Sequence, residues 1–396
     1  MRRGAAFSSL KLITALLLAA LGAGLLIFSQ PVTEGIRKGL TVCANVLIPS
    51  LFPFMVLSGF IALTEYSRIL SAPFGWLARR VFKLPSELGV VVFLSLIGGY
   101  PVGAKTIHTL LEQGRISTAT AQRMLCFCVN CGPSFLITAV GAGMLMNPAA
   151  GVVLFVTQSL ATLLIGAVVS LGSRSEEAFA PQGRLMTPAL GFVTAVMNAA
   201  QGMFAMCSFA VLFSGVLALL QAVGAAGWLA EIFPVTKEMA GALLAGLLEV
   251  TSGCVAASAL GGDAGFLLIS IFTSICGLSV IFQVISCFPA GTIRFGPFLL
   301  SRLFHSIVAA VMAFPLYKAF FRVLPASLNR IPPIMSTGSK TLLLALCLTA
   351  MCTILIFSLW GSLNWKMPPA KPKLFKGDLY VAFPSHWSKG DRRKRK

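Results

Sequence analysis

The sequence of 396 residues is poor in charged side chains. Asp, Glu, Lys and Arg together make up 11% of the chain, whereas hydrophobic residues make up 57%. An ordinary soluble domain carries about 25% charged residues, so this chain lacks the polar surface that a soluble globule requires. Its apolar runs approach the roughly 20 residues that a helix needs to cross a bilayer. The composition therefore excludes a soluble protein and predicts an all-α, polytopic α-helical membrane protein.

Acidic residues are scarcer still, with 12 Asp and Glu against 31 Lys and Arg. In a soluble protein such a basic excess would suggest a nucleic-acid partner. Here the basic residues flank the apolar runs, where they fix the orientation of a membrane protein. We therefore expect contact with the lipid bilayer of the cell membrane, cytoplasmic N- and C-termini, and no nucleic acid.

Motifs of catalysis and of cofactor or metal binding are also missing. No phosphate-cradling Walker sequence, zinc-protease motif or nucleophile elbow occurs. The 10 cysteines lie mostly in apolar runs, and no paired Cys or His cluster completes a metal site beside Cys126, Cys128 and Cys131. His305, near Arg302 on a late span, is expected at the membrane interface. The sequence thus predicts no enzyme, no cofactor and no metal.

Apolar runs and basic segments divide the chain into five parts. The predicted parts are an N-terminal transmembrane helix at 1–30, a membrane repeat at 40–172, a second repeat at 189–323, a C-terminal transmembrane helix at 340–361 and a basic cytoplasmic tail at 362–396. The second span is expected to run from 41 to 63 and to return across the membrane after the first.

The two repeats are predicted from three anchors in the same order. Residues 45–59 (NVLIPSLFPFMVLSG) align with residues 201–215 (QGMFAMCSFAVLFSG). An interfacial segment with a Trp, an interrupted half-run and a broken span follow in both halves. The basic segments fall on one side of the membrane if the second repeat is inverted. The predicted architecture is an inverted repeat with re-entrant hairpins and broken transmembrane helices, which is a transporter layout.

Gly, Pro and polar residues interrupt the apolar runs at four places, and these breaks are the predicted substrate site. A helix that ends inside the membrane exposes amides or carbonyls carrying about half an elementary charge. The predicted substrate-binding residues are Gly98, Gly99, Tyr100, Pro101, Gly103, Lys105, Asn130, Cys131, Gly132, Ser134, Glu249, Thr251, Ser252, Gly253, Gly277, Ser279 and Gln283. For the glycines, close packing of helices is the alternative interpretation.

Glu249 is the most informative acid, because a carboxylate at membrane depth costs about 2.5–3.5 kcal/mol on insertion scales. It could bind substrate, accept a coupling proton, coordinate sodium or form a salt bridge with Lys105. Lys105 in turn could neutralise an anionic solute or extend to the cytoplasmic interface.

Three segments carry a resemblance to a known family: residues 95–105 (SLIGGYPVGAK), 128–135 (CVNCGPSF) and 248–253 (LEVTSG). Over residues 40 to 320, roughly, the chain resembles the YlbJ-type sporulation integral membrane proteins, which carry a nucleoside-recognition, or Gate, domain. The resemblance implies a fold related to concentrative nucleoside transporters and a place in a membrane around the developing spore. It also implies the loading of a small solute, with dipicolinate as the proposed cargo.

The sequence and the resemblance together predict a sporulation-associated secondary membrane transporter of a small polar or anionic solute. Sodium or a proton is the expected coupling ion. A non-transporting scaffold that acts through the basic tail, and a nucleoside transporter, are the alternatives.

Overall fold

The computed structural model describes residues 2–173 and 185–323, which form helices and no strand. The first half contains α1 (Arg2–Ile27), α2 (Ser29–Val42), α3 (Ile48–Leu63), α4 (Tyr66–Arg80), α5 (Gly89–Ile97), α6 (Tyr100–Glu112), α7 (Thr118–Leu125) and α8 (Pro148–Ser170). The second half contains α9 (Pro188–Ala222), α10 (Ala225–Ile232), α11 (Lys237–Leu248), α12 (Val250–Leu260), α13 (Gly262–Ile275), α14 (Gly277–Ser286) and α15 (Gly296–Val323). Two π-helical segments, Cys43–Leu47 and Ser134–Met144, and a short 3-10 turn, Ser86–Leu88, complete the first half.

The predicted fold class is confirmed. Five helices of the described ranges are long and apolar enough to span a membrane: Ser29–Leu63, Pro148–Ser170, Pro188–Ala222, Gly262–Ser286 and Gly296–Phe320. The predicted C-terminal helix at 340–361, the tail at 362–396 and most of the loop between the repeats lie outside the described residues.

The order of elements in the first half recurs in the second. A long helix (α2–α3, then α9) leads to a short amphipathic helix (α4, then α10). Two helices packed against each other follow (α5–α6, then α11–α12), and after them come a broken helix and a final span. The exposed residues Trp76 on α4 and Trp228 on α10 suit helices that lie in the interface. Each half thus contains a hairpin and a broken helix, as predicted.

The two long helices pack against each other in opposite directions, with small residues at the contact. A β-carbon placed at Gly35 or Gly39 would collide with Ser214 near the end of α9. Further along, Gly59 lies against Ala195 near the start of α9. The equivalent helices of the two halves are therefore antiparallel, as an inverted repeat requires.

The second span begins earlier than predicted, at Ser29 rather than at residue 41. Only Phe28 separates α1 from α2, and helical hydrogen bonds flank it: the Phe28 N–H donates to Gly24 (2.9 Å) and the Val32 N–H to Phe28 (3.1 Å). The expected reversal between two spans is therefore absent at this point. The stretch after Phe28 is polar, but its glycines let it pack on α9, so the helix forms without an apolar run.

Candidate functional site

All four predicted breaks are present. The first hairpin turns at Gly99, whose φ of 82° lies in the left-handed region that favours glycine. The second turns at Glu249, which has an extended backbone between α11 and α12. The broken helix of the first half loses helical structure over residues 126–132, and that of the second half breaks at Cys276 with a φ of 79°.

Each hairpin tip lies against the break of its own half, and glycine makes both contacts possible. A β-carbon at Gly132 would lie 2.7 Å from the carbonyl oxygen of Ile97 and 3.1 Å from the nitrogen of Gly99. A β-carbon at Gly277 would lie 3.0 Å from the carbonyl oxygen of Gly246. Any side chain at these positions would therefore push the tip away from the break.

The two tips, the break of the first half and α14, which follows the break of the second half, line one small cavity of about 30 Å³. Eight predicted site residues line it: Gly99, Tyr100, Cys131, Gly132, Glu249, Thr251, Ser279 and Gln283. Its remaining walls are apolar and include Leu47 and Leu51 near the start of the third helix and Met206 of α9. Because a water needs about 10–15 Å³, the cavity has room for about two waters in this closed arrangement.

Glu249 caps the second hairpin instead of pairing with Lys105. Its carboxylate accepts the N–H of Thr251 at 2.9 Å and the N–H of Ser252 at 2.6 Å, so it covers the amide end of α12. The Lys105 ammonium donates to the carbonyl of Asn198 on α9. Of the alternatives for Glu249, the salt bridge to Lys105 is therefore wrong, and a local cap takes its place.

Two further polar side chains face the cavity from α14. Ser279 is buried, and the buried Gln283 has a side-chain carbonyl oxygen without a hydrogen-bond partner. Because a carboxylate and an amide oxygen can both accept hydrogen bonds, the Glu249 side of the cavity is rich in acceptors.

Tyr100 links the first hairpin to the second half. Its hydroxyl donates to the carbonyl of Thr273 on α13, and the Thr273 hydroxyl accepts the side-chain amide of Gln158 at 2.6 Å. The tip of one half is thereby fastened to the broken helix of the other.

Several predicted residues lie outside this cavity. A β-carbon at Gly103 would collide with the carbonyl of Cys128, and one at Gly253 with the backbone of Gly246, so these two glycines serve close packing. The others outside it are Gly98, Pro101, Asn130, Ser134, Ser252 and Gly277, of which Ser252 contributes its backbone N–H to Glu249.

Lys105 and Asn130 point to other surroundings. Lys105 lines a second cavity of about 60 Å³ between α3, the first hairpin and α9. The Asn130 amide donates to the Phe127 carbonyl at 2.7 Å and accepts the hydroxyl of Thr162 at 2.7 Å, on the α8 side of the break. The sequence placed both residues at breaks, but it does not specify which way the side chains turn.

Two buried residues of α15 were not among the predicted site residues. His305, expected at the interface, is 1% exposed, and its Nε2 lies 3.1 Å from the Thr162 hydroxyl; the interface prediction is wrong. Arg302 is also 1% exposed and donates to backbone carbonyls of the first broken helix. The available signal was a cation and a His three residues apart inside an apolar run, because ionisable residues at membrane depth usually have a function.

Comparison with known proteins agrees with the predicted resemblance. The chain is 27% identical to the sporulation integral membrane protein YlbJ of Bacillus subtilis over 324 residues, which cover 73% of this chain and 78% of that protein. No protein-family model and no solved structure matches the chain. The similarity to YlbJ-type proteins is thus confirmed and supports a sporulation-associated integral membrane protein, while the Gate domain stays a prediction.

Proposed function

From its similarity to the YlbJ-type sporulation integral membrane proteins, we propose that this protein is a secondary transporter of a small polar solute. It acts in a membrane around the developing spore, with both termini in the cytoplasm. The central cavity between the hairpin tips holds a coupling cation, either sodium or a proton, and admits the solute only when the tips move apart. The protein takes no part in catalysis and binds no nucleic acid.

One observation carries this proposal: three of the four interruptions, together with α14 beyond the fourth, line a single cavity between two antiparallel halves. A scaffold has no need to open its helices inside the membrane, where each unsatisfied backbone group costs several kcal/mol. Transporters place substrate and ion sites at such interruptions, because the freed backbone groups can bind ligands.

The polarity of the cavity favours a cation or a hydrogen-bond donor as its occupant. Glu249 supplies negative charge, Gln283 supplies an unpartnered carbonyl oxygen, and no basic side chain lines the cavity in the described part of the chain. Glu249 is therefore the proposed ligand of the coupling cation. Protonation or cation binding there would compete with the two N–H groups that the carboxylate now accepts.

The second cavity offers a place for the anionic group of a solute. It extends from Lys105 towards Gln113 and Arg115 beyond the open end of the first hairpin. A solute that is both polar and anionic, such as dipicolinate, would meet Lys105 in this cavity, while Glu249 in the central cavity would hold the coupling cation. A neutral nucleoside would not require Lys105.

Counterflow in liposomes tests the proposal. Purified full-length protein is assayed with dipicolinate and with nucleosides, and wild type is compared with Glu249→Gln. Glu238→Gln is the matched control, because Glu238 is an exposed acid at the base of the same hairpin. We expect Glu249→Gln to abolish cation-dependent exchange and Glu238→Gln to leave it unchanged.

The scaffold alternative predicts a different pattern. Exchange would then be absent for every solute, and deletion of residues 366–396 would remove function in sporulating cells while Glu249→Gln would not. That pattern, or wild-type exchange by Glu249→Gln, would overturn the assignment.

A further inference from the structure

Arg302 is a buried cation in α15 that the transport proposal does not use. Its side chain is among the largest fully buried ones of the described residues. One guanidinium nitrogen donates to the Val129 carbonyl at 2.6 Å, and another donates to the Cys126 carbonyl. Both carbonyls belong to the break that follows α7, so the guanidinium bridges the opened backbone.

The charge of Arg302 has no acidic partner in residues 2–173 and 185–323. The ion pairs there join other residues, and the Arg302 Nε has no hydrogen-bond partner. The ring of Phe298 lies 5.6 Å from the guanidinium carbon. Carbonyl dipoles, one aromatic face and the thiol of Cys276 therefore surround a cation that is expensive to bury.

Carbonyls at the end of an interrupted helix are natural ligands for a small cation, since they bear partial negative charge. The planar guanidinium fork can bridge two such oxygens. In this break, the Arg302 side chain of α15 lies where the two carbonyls would otherwise attract a free cation.

We propose that Arg302 is a tethered cation that permanently fills a carbonyl site in the break of the first half. The same guanidinium also reaches the thiol of Cys276 at the break of the second half, whereas the counterpart helix α8 carries no charged residue. The arrangement confines any exchangeable cation to the Glu249 side of the molecule. The inference concerns the break itself and holds whichever solute is carried.

Melting in different salts tests the proposal on the purified full-length protein in neutral-lipid nanodiscs. Wild type and Arg302→Ala are unfolded by heat in choline, sodium and guanidinium chloride at equal millimolar concentrations, with tryptophan fluorescence as readout. Arg302→Ala should lose several degrees of Tm in choline and regain part of the loss in guanidinium or sodium. Each loss is measured relative to wild type in the same salt, so that any effect of sodium at Glu249, which both proteins share, cancels.

Native thiols provide a second readout in intact membranes. Cys126 and Cys128 are buried beside the guanidinium, so maleimide should label them several-fold faster in Arg302→Ala, and guanidinium should slow that labelling again. Lys318→Ala is the control, because it removes an exposed cation of the same helix that pairs with Asp263. It should show no ion-specific change in either measurement.

A purely structural Arg302 gives the opposite result. The variant would then be destabilised equally in all three salts, with labelling that guanidinium does not slow, and this outcome overturns the proposal. If Arg302→Ala cannot be purified, Arg302→Gln replaces it, because its amide can donate to a carbonyl but carries no charge. The absence of any guanidinium response in Arg302→Gln would count equally against the tethered cation.

Discussion

Both hairpin tips interrupt the helical backbone, but they satisfy the freed N–H groups in different ways. In the first, α6 begins with Tyr100 and Pro101 after Gly99, and no side chain caps it. In the second, Glu249 caps α12 with both carboxylate oxygens. A helix that begins in a medium without water must deal with its free N–H groups. One tip removes a donor with proline, and the other supplies an acceptor with glutamate.

This difference shows that the two halves share their helix arrangement but contribute different charged side chains. The glycine contacts that hold tip against break recur in both halves. The charge at the central cavity comes from the second half alone, through Glu249, while the cation at the break of the first half is supplied by Arg302. If the protein is the transporter proposed above, ion coupling should therefore depend on residues of one half, although both halves share the same arrangement of helices.

The largest effect is expected from filling the space that both hairpins leave for backbone contact. Gly103→Ala and Gly253→Ala should each cost about 1–3 kcal/mol of unfolding free energy, because the new methyl group meets backbone that cannot move freely. Gly227→Ala is the control, since that glycine of α10 has open space around it. Unfolding by SDS in mixed micelles measures all three. Equal, small effects for the three variants would contradict the close packing described for both hairpins.

A smaller effect is expected where the first tip is fastened to the second half. Tyr100→Phe removes the hydroxyl that donates to the Thr273 carbonyl, so the loss should be about 0.5–1.5 kcal/mol. Tyr66→Phe, on a ring packed against Phe60, should change the unfolding free energy less. If the two variants behave alike in the same SDS titration, the link between the halves contributes nothing to stability.

The smallest effect is expected from combining the two charged candidates. Lys105 and Glu249 have different partners, so the stability changes of Lys105→Met and Glu249→Gln should add within about 0.3–0.5 kcal/mol. A double-mutant cycle on thermal or SDS unfolding measures the deviation. A clearly larger coupling energy would contradict these separate partners and would indicate that Lys105 and Glu249 interact directly.

The sequence predicts the breaks well because glycine, proline and buried charge have local consequences. The turn at Gly99 and the break next to Gly277 follow from glycine, which interrupts helices, whereas the turn at Glu249 was indicated by a charge inside an apolar run. The sequence signal of each repeat is weak by itself, but the same order of elements in both halves strengthens the prediction. The composition alone establishes the membrane class.

The partners of buried polar groups are not predictable in the same way. Whether Glu249 meets Lys105 or the amides of its own helix depends on a few ångströms of tip position. The burial of Arg302 depends on which face of α15 meets the first broken helix, and no local pattern specifies this. The early start of α2 was missed because its contact with α9 uses glycines rather than apolar side chains.

The length of the antiparallel pair has a consequence for the surrounding lipid. Ser29–Leu63 and Pro188–Ala222 each contain 35 residues, so each is about 52 Å long at about 1.5 Å per residue. A hydrocarbon layer of about 30 Å cannot cover such rods upright. They must tilt steeply or extend into the headgroup region. Because close contacts at glycines hold the two helices together, they must tilt as a pair. Bilayer thickness therefore affects the tilt of these two long helices, against which both hairpins pack.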